Sequence, residues 1–228
     1  MKFSFVTPES DKQISEILQK LRLSMNGIVS EQMILNGIEY KKNYGVSIPR
    51  LKEIAALYSP NHNLAQQLWN LEIRETMILA LILEPVEKFT AENAIEWVQS
   101  FNQTEIVEQA CMILFCKLPY ANSLCKEWIN SDKLWFQITG YILAARIFNN
   151  FNPIDIHEIM RASFLASNTT EFHLYKAVAL CLSRLCRKDT ETANYILTEI
   201  NPFEKTSNPG QKYIFEEVKQ EIIFLGLL

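Results

Sequence analysis

Apolar residues recur at intervals of three and four along almost the whole chain, and strand-like alternation is nearly absent. Ile14, Ile17, Leu18, Leu21 and Met25 mark a first helix that Asn26-Gly27 closes. The pattern predicts a second helix over about Ser30–Lys42, stopped by Asn43-Tyr44-Gly45. A third starts near Ser47, where Pro49 occupies an early position that tolerates its missing N–H, and runs to Ser59-Pro60.

Beyond that point the pattern repeats. A helix ending in tryptophan recurs in "AQQLW" (Trp69), "AIEWV" (Trp97) and "CKEWI" (Trp128). Each is followed by a strongly apolar helix: "IRETMILALIL", "IVEQACMILFCKL" and "WFQITGYILAARIF". "DIHEIMRASFLA" with "EFHLYKAVALCLSRL", and "ETANYILTEI" with "KYIFEEVKQEIIFL", complete five pairs at a period of about 30 to 36 residues, the range of helical repeat arrays. One pair cannot bury its own apolar face, so neighbours stack and share a core. Second helices that are apolar almost all round fit cover from both sides, and the three tryptophans read as packing residues. The expectation is an all-α solenoid of helix pairs. It forms one domain over 1–228, with N-terminal helices over 1–60 and about five pairs over 61–228.

Composition changes this picture little. The chain has 228 residues, 48% of them apolar and 21% charged, which suits a globular core and excludes disorder. No apolar run, Met77–Leu83 included, is long enough to span a membrane, and the N-terminal residues lack a signal peptide's hydrophobic region. No membrane association and a cytoplasmic location are expected. Cys111, Cys116, Cys125, Cys181 and Cys186 form an odd set with no C-x-x-C pair, consistent with small buried hydrophobes in a reducing compartment. His62, His157 and His173 are isolated from one another and from the cysteines, so neither a metal nor a cofactor is expected. A net charge of -4 argues against an indiscriminate nucleic-acid binder, but leaves room for a local basic stripe.

Four ordered segments carry a resemblance. "YGVSIPRLKEIA" (Tyr44–Ala55) and "NLAQQLWNLEIRETMILALILE" (Asn63–Glu84) resemble the N-terminal signature of the DNA alkylation repair family. "EWINSDKLWFQITGYILAARIF" and "EFHLYKAVALCLSRL" resemble later segments of the same family, so the likeness covers roughly residues 10 to 226. The resemblance implies HEAT-like repeats in a curved α–α superhelix whose concave, basic face grips DNA. It also implies release of cationic alkylated purines by cleavage of the N-glycosidic bond. By the same resemblance, an aspartate would stabilise developing positive charge on the sugar or position water, and an arginine and two tryptophans would surround the exposed lesion nucleotide.

This chain departs from that set. By ungapped matching, Thr104 stands at one functional tryptophan, Glu108 at the aspartate, Ile138 at the arginine and Leu180 at the other tryptophan, whereas Trp135 matches a further family tryptophan. Glu105, with Asn102, has the spacing of a capping box. Glu108 is the candidate catalytic carboxylate. Arg74, Trp135, Arg146, Lys176, Arg184, Arg187 and Lys188 are the candidate DNA-contacting residues, on the reasoning that second helices line the concave side.

Three readings follow. The first is a monomeric relative that binds damaged or branched double-stranded DNA on its concave face without standard glycosylase activity. The second is an active glycosylase working through Glu108. The third is a HEAT scaffold whose partner is a protein.

Overall fold

The computed structural model describes residues 8–227. Thirteen α-helices form among them: α1 (Pro8–Leu23), α2 (Gly27–Leu35), α3 (Ile48–Ala55), α4 (His62–Trp69), α5 (Arg74–Leu83), α6 (Ala91–Gln99), α7 (Thr104–Ile113), α8 (Ala121–Ile129), α9 (Leu134–Ile147), α10 (Pro153–Ala166), α11 (Phe172–Leu185), α12 (Thr190–Ile200) and α13 (Pro209–Phe224). The fold is all-α. Among the described residues the only strand-like feature is an isolated parallel bridge between Lys42 and Ile73.

The chain divides into two compact units. The first comprises Met1–Ala94 with Gln103–Leu114, and the second Ile95–Asn102 with Phe115–Leu228.

In the first unit α5 packs against α3, α4 and α7. It is buried along nearly its whole length, from Arg74 to Leu83 with only Ile82 half-open. Leu64, Leu68, Ile78, Leu79, Ile106 and Val107 are its core. Here the second helix differs from expectation. It starts earlier and ends at Leu35, because Asn26 caps it by accepting from the Val29 N–H and Asn36-Gly37, with Gly37 at φ +77°, turns the chain out. Residues 38–46 then run as an irregular segment beside α5, and the Arg74 N–H donates to the Lys42 carbonyl. Gly45 has φ +69°, and a Cβ there would meet the Asn26 carbonyl oxygen at 2.1 Å, so only glycine fits this crossing.

In the second unit α9 packs on α8 and α11, and α11 packs on α13. Trp97 and Trp128 are almost wholly buried. Rings run in series from Phe101 to Phe115 (6.3 Å), Trp128 (5.7 Å) and Phe136 (5.9 Å). Gly140 lets α9 approach α8, since a Cβ there would meet the Ile129 nitrogen at 2.7 Å. The inner helices α9 and α11 carry buried residues on most of their surface, as the patterning required.

Candidate functional site

The first unit holds a buried ionic network. Arg74 and Glu75 open α5 and are 4% and 0% exposed. The Arg74 guanidinium donates to both oxygens of Glu105 (2.5 to 3.1 Å), to Glu75 Oε1 (3.0 Å) and to the Val46 carbonyl (3.0 Å). Glu75 accepts from the Tyr44 and Val46 N–H groups at 3.0 and 3.2 Å, and the Tyr40 hydroxyl donates to Glu105 Oε2 at 3.1 Å. Burial alone would lower the Arg74 pKa, but the two carboxylates outweigh it and the net shift is upward.

This arrangement corrects two readings. Arg74 is committed to internal carboxylates rather than turned to solvent, so it is not a phosphate contact. Glu105 is not half of a capping box: the N-cap of α7 is Gln103, no side chain caps the helix, and Glu105 reaches instead to α5. The two N-terminal segments that carry the family resemblance meet here, so their shared residues have a structural task.

Burial, and then the Glu105 charge, hold the Tyr40 hydroxyl well above its ordinary value of 10.0, and burial does the same for Tyr141. The folded state therefore binds these protons more tightly than the unfolded chain. Their contribution to stability is complete below pH 10.0 and is lost as the pH rises above it. Denaturant midpoints measured up the alkaline limb should fall from that pH onward, and Tyr40→Phe should make the fall shallower.

Glu108 lies one turn beyond Thr104 on α7 and is exposed. Ile138, matched to the family's arginine, is fully buried core of α9, and Leu180 is half-buried on α11.

The six remaining candidates all belong to the second unit, but they form two groups. Trp135 and Lys176 stand in the opening turns of α9 and α11, half-buried and exposed respectively. Arg146 and Arg184 stand in the last turns of the same helices, with Arg187 and Lys188 just beyond. Each helix has 14 residues and is about 20 Å long, so the groups mark opposite ends. At the far end Arg187 pairs with Glu221, and Lys188 donates to the Asn149 and Phe151 carbonyls at 3.3 and 3.1 Å. Cations that satisfy C-terminal carbonyls and a neighbouring carboxylate are helix-end chemistry.

The near end is richer than the sequence suggested. His173 stacks beside Trp135 at 5.8 Å and touches Phe172 at 5.4 Å. Phe172 meets Tyr175 at 5.6 Å, and Tyr175 meets Tyr213 of α13 at 5.2 Å. Phe172, His173, Tyr175 and Tyr213 escaped sequence reasoning, because only packing of α9, α11 and α13 brings them together. The one sequence signal was an aromatic, Phe172, ahead of the apolar stripe of its helix.

None of the five cysteines is in a disulfide, and burial pushes the Cys181 and Cys186 thiols up to about 12. Among the described residues no cluster of three His, Cys, Asp or Glu is arranged to hold a metal, and no helix is long and apolar enough to cross a membrane.

A family model described as "DNA alkylation repair enzyme" matches residues 17–207. Among solved structures, one described as "A new family of proteins related to the HEAT-like repeat DNA glycosylases with affinity for branched DNA structures" superposes with a TM-score of 0.77 at 14% identity, covering 90% of this chain and 94% of that one. At that identity the likeness is one of fold. No curated protein matches the chain.

Proposed function

Because the chain belongs to the DNA alkylation repair enzyme family, we propose that it binds branched or otherwise structured DNA without the base-excision chemistry of the family's glycosylases. The observation that carries this reading is a half-exposed aromatic surface in the second unit, where Trp135 lies beside His173 and Lys176 lies over the Phe172 ring. Three helix N-termini add partial positive charge there, which favours phosphate oxygens. The described affinity of the solved relative for branched DNA supports the same partner.

Excision is disfavoured by two residues. Ile138 offers no charge where the family uses an arginine, and it is sealed in the core. Glu108 is open to bulk water, where a carboxylate stabilises developing positive charge far less than in a water-excluded site.

The test is binding of the purified protein to labelled plain, abasic and branched duplexes across a salt series. Affinity for branched DNA should exceed that for plain duplex, and log K should fall linearly with log salt. Lys176→Ala should lower the salt slope by about 1. Absence of binding at low salt would sink the reading. Release of a methylated base that vanishes in Glu108→Gln would restore the glycosylase alternative.

The protein-scaffold reading has one observation of its own. No residue of α2 is buried, and Ile28, Ile34 and Leu35 are 82%, 53% and 74% exposed. An uncovered aliphatic helix suits a protein partner better than a nucleic acid.

A further inference from the structure

Five rings run without a break across the starts of three helices in the second unit: Trp135, His173, Phe172, Tyr175 and Tyr213, in four steps of 5.2 to 5.8 Å. The strip is not core. Phe172 is 51% exposed, His173 is exposed, and Trp135, Tyr175 and Tyr213 are half-buried. The other three tryptophans, Trp69, Trp97 and Trp128, are 5% exposed or less, so Trp135 is set apart from the packing role of its counterparts.

Lys176 completes the surface. Its ammonium lies 4.5 Å from the Phe172 ring centre and 5.7 Å from that of Tyr213, held between two rings by cation–π attraction. A cation among partly exposed rings offers what a nucleotide requires: a flat partner for its base and a positive charge for the phosphate that follows. Every base has a π face, so such stacking is tolerant of sequence.

We infer that this strip is a stacking surface for unpaired bases, the single-stranded part of a branched DNA. The inference rests on the DNA-binding reading above and names the part of the DNA that this surface takes. A paired duplex offers its bases only edge-on in the grooves, whereas a junction or fork presents free faces. Two carboxylates border the strip, Glu171 ahead of α11 and Glu217 beside Tyr213. They oppose a broad duplex phosphate face more than a single strand that meets few phosphates at a time. An aliphatic peptide is the poorer occupant, because the strip exposes rings with polar edges and a lysine. Uncovered α2, with its isoleucines and leucine, shows what an aliphatic docking surface on this chain looks like.

The strip carries its own reporter. With the other tryptophans buried, quenching by a stacked base reads out at Trp135. Titration of the purified full chain with a short oligothymidylate should quench and shift its emission, and a blunt duplex of matched length should not. Phe172→Ala, at a half-exposed position, should weaken binding to a fork with two unpaired arms about tenfold. Its affinity for blunt duplex should be unchanged, and Phe172→Tyr should restore fork binding. Tight fork binding without quenching, or without a Phe172→Ala effect, would overturn the stacking surface and leave the DNA-binding reading standing. Failure to bind any DNA at low salt would overturn both.

Discussion

Arg74→Ala should destabilise the protein by about 3–5 kcal/mol, the cost of leaving a buried charge without its partner. Glu75 is fully buried and keeps only the Tyr44 and Val46 N–H groups when the guanidinium is removed. Glu105 loses its two-pronged partner and retains the Tyr40 hydroxyl. The Val46 carbonyl loses a donor as well. Arg74→Lys should recover little, since an ammonium cannot reproduce a planar fork that serves two carboxylates and a carbonyl at once.

Urea unfolding followed by far-ultraviolet circular dichroism measures the loss. A change of less than about 1 kcal/mol, the range of exposed ion pairs, would show that the network contributes no more than a surface bridge. Arg187→Ala supplies the contrast. Its pair with Glu221 is partly open to water, and its removal should move the midpoint only slightly. The network also sets where α7 begins, because Glu105 in its first turn is tied to the start of α5. Any role of Glu108 one turn further on depends on that tie.

Trp128→Ala should cost about 3–5 kcal/mol, as expected when a large buried aromatic is truncated and its neighbours cannot close the gap. The indole is 1% exposed and stands between Phe115 and Phe136, so its loss breaks the ring series in the middle. Close packing of α8 on α9 at Gly140 leaves the backbones little freedom to collapse into the void. Trp135→Ala is the matched control: half-buried at a helix start, it should cost much less in stability while abolishing the emission change on adding unpaired DNA. Similar unfolding midpoints for the two variants would contradict the division between a packing tryptophan and an exposed one.

The helical pairs were legible because burial imposes a period. Each second helix must be covered by neighbours, so its apolar residues close most of the way round, and the interval between tryptophans marks the repeat. The end of α2 was misread because the apolar pattern continues past Leu35, whereas Asn36-Gly37 and the demand of Glu75 for backbone N–H groups draw the chain into an extended path. Arg74 was misplaced for a related reason. A charged residue at the start of an apolar helix reads the same whether it faces water or a carboxylate, and Arg74 meets Glu105 31 residues away.

By itself, then, the sequence determined the all-helical class and the family. These follow from local periodicity and residue identity, both of which are written along the chain. Tertiary structure alone decided which charges are internal, that Arg146, Arg184, Arg187 and Lys188 gather at one end of their helices while Trp135 and Lys176 gather at the other, and that five rings from three helices meet at that second end. Those outcomes depend on neighbours distant in sequence, whose register is set by packing of α9, α11 and α13 and not by any motif within them.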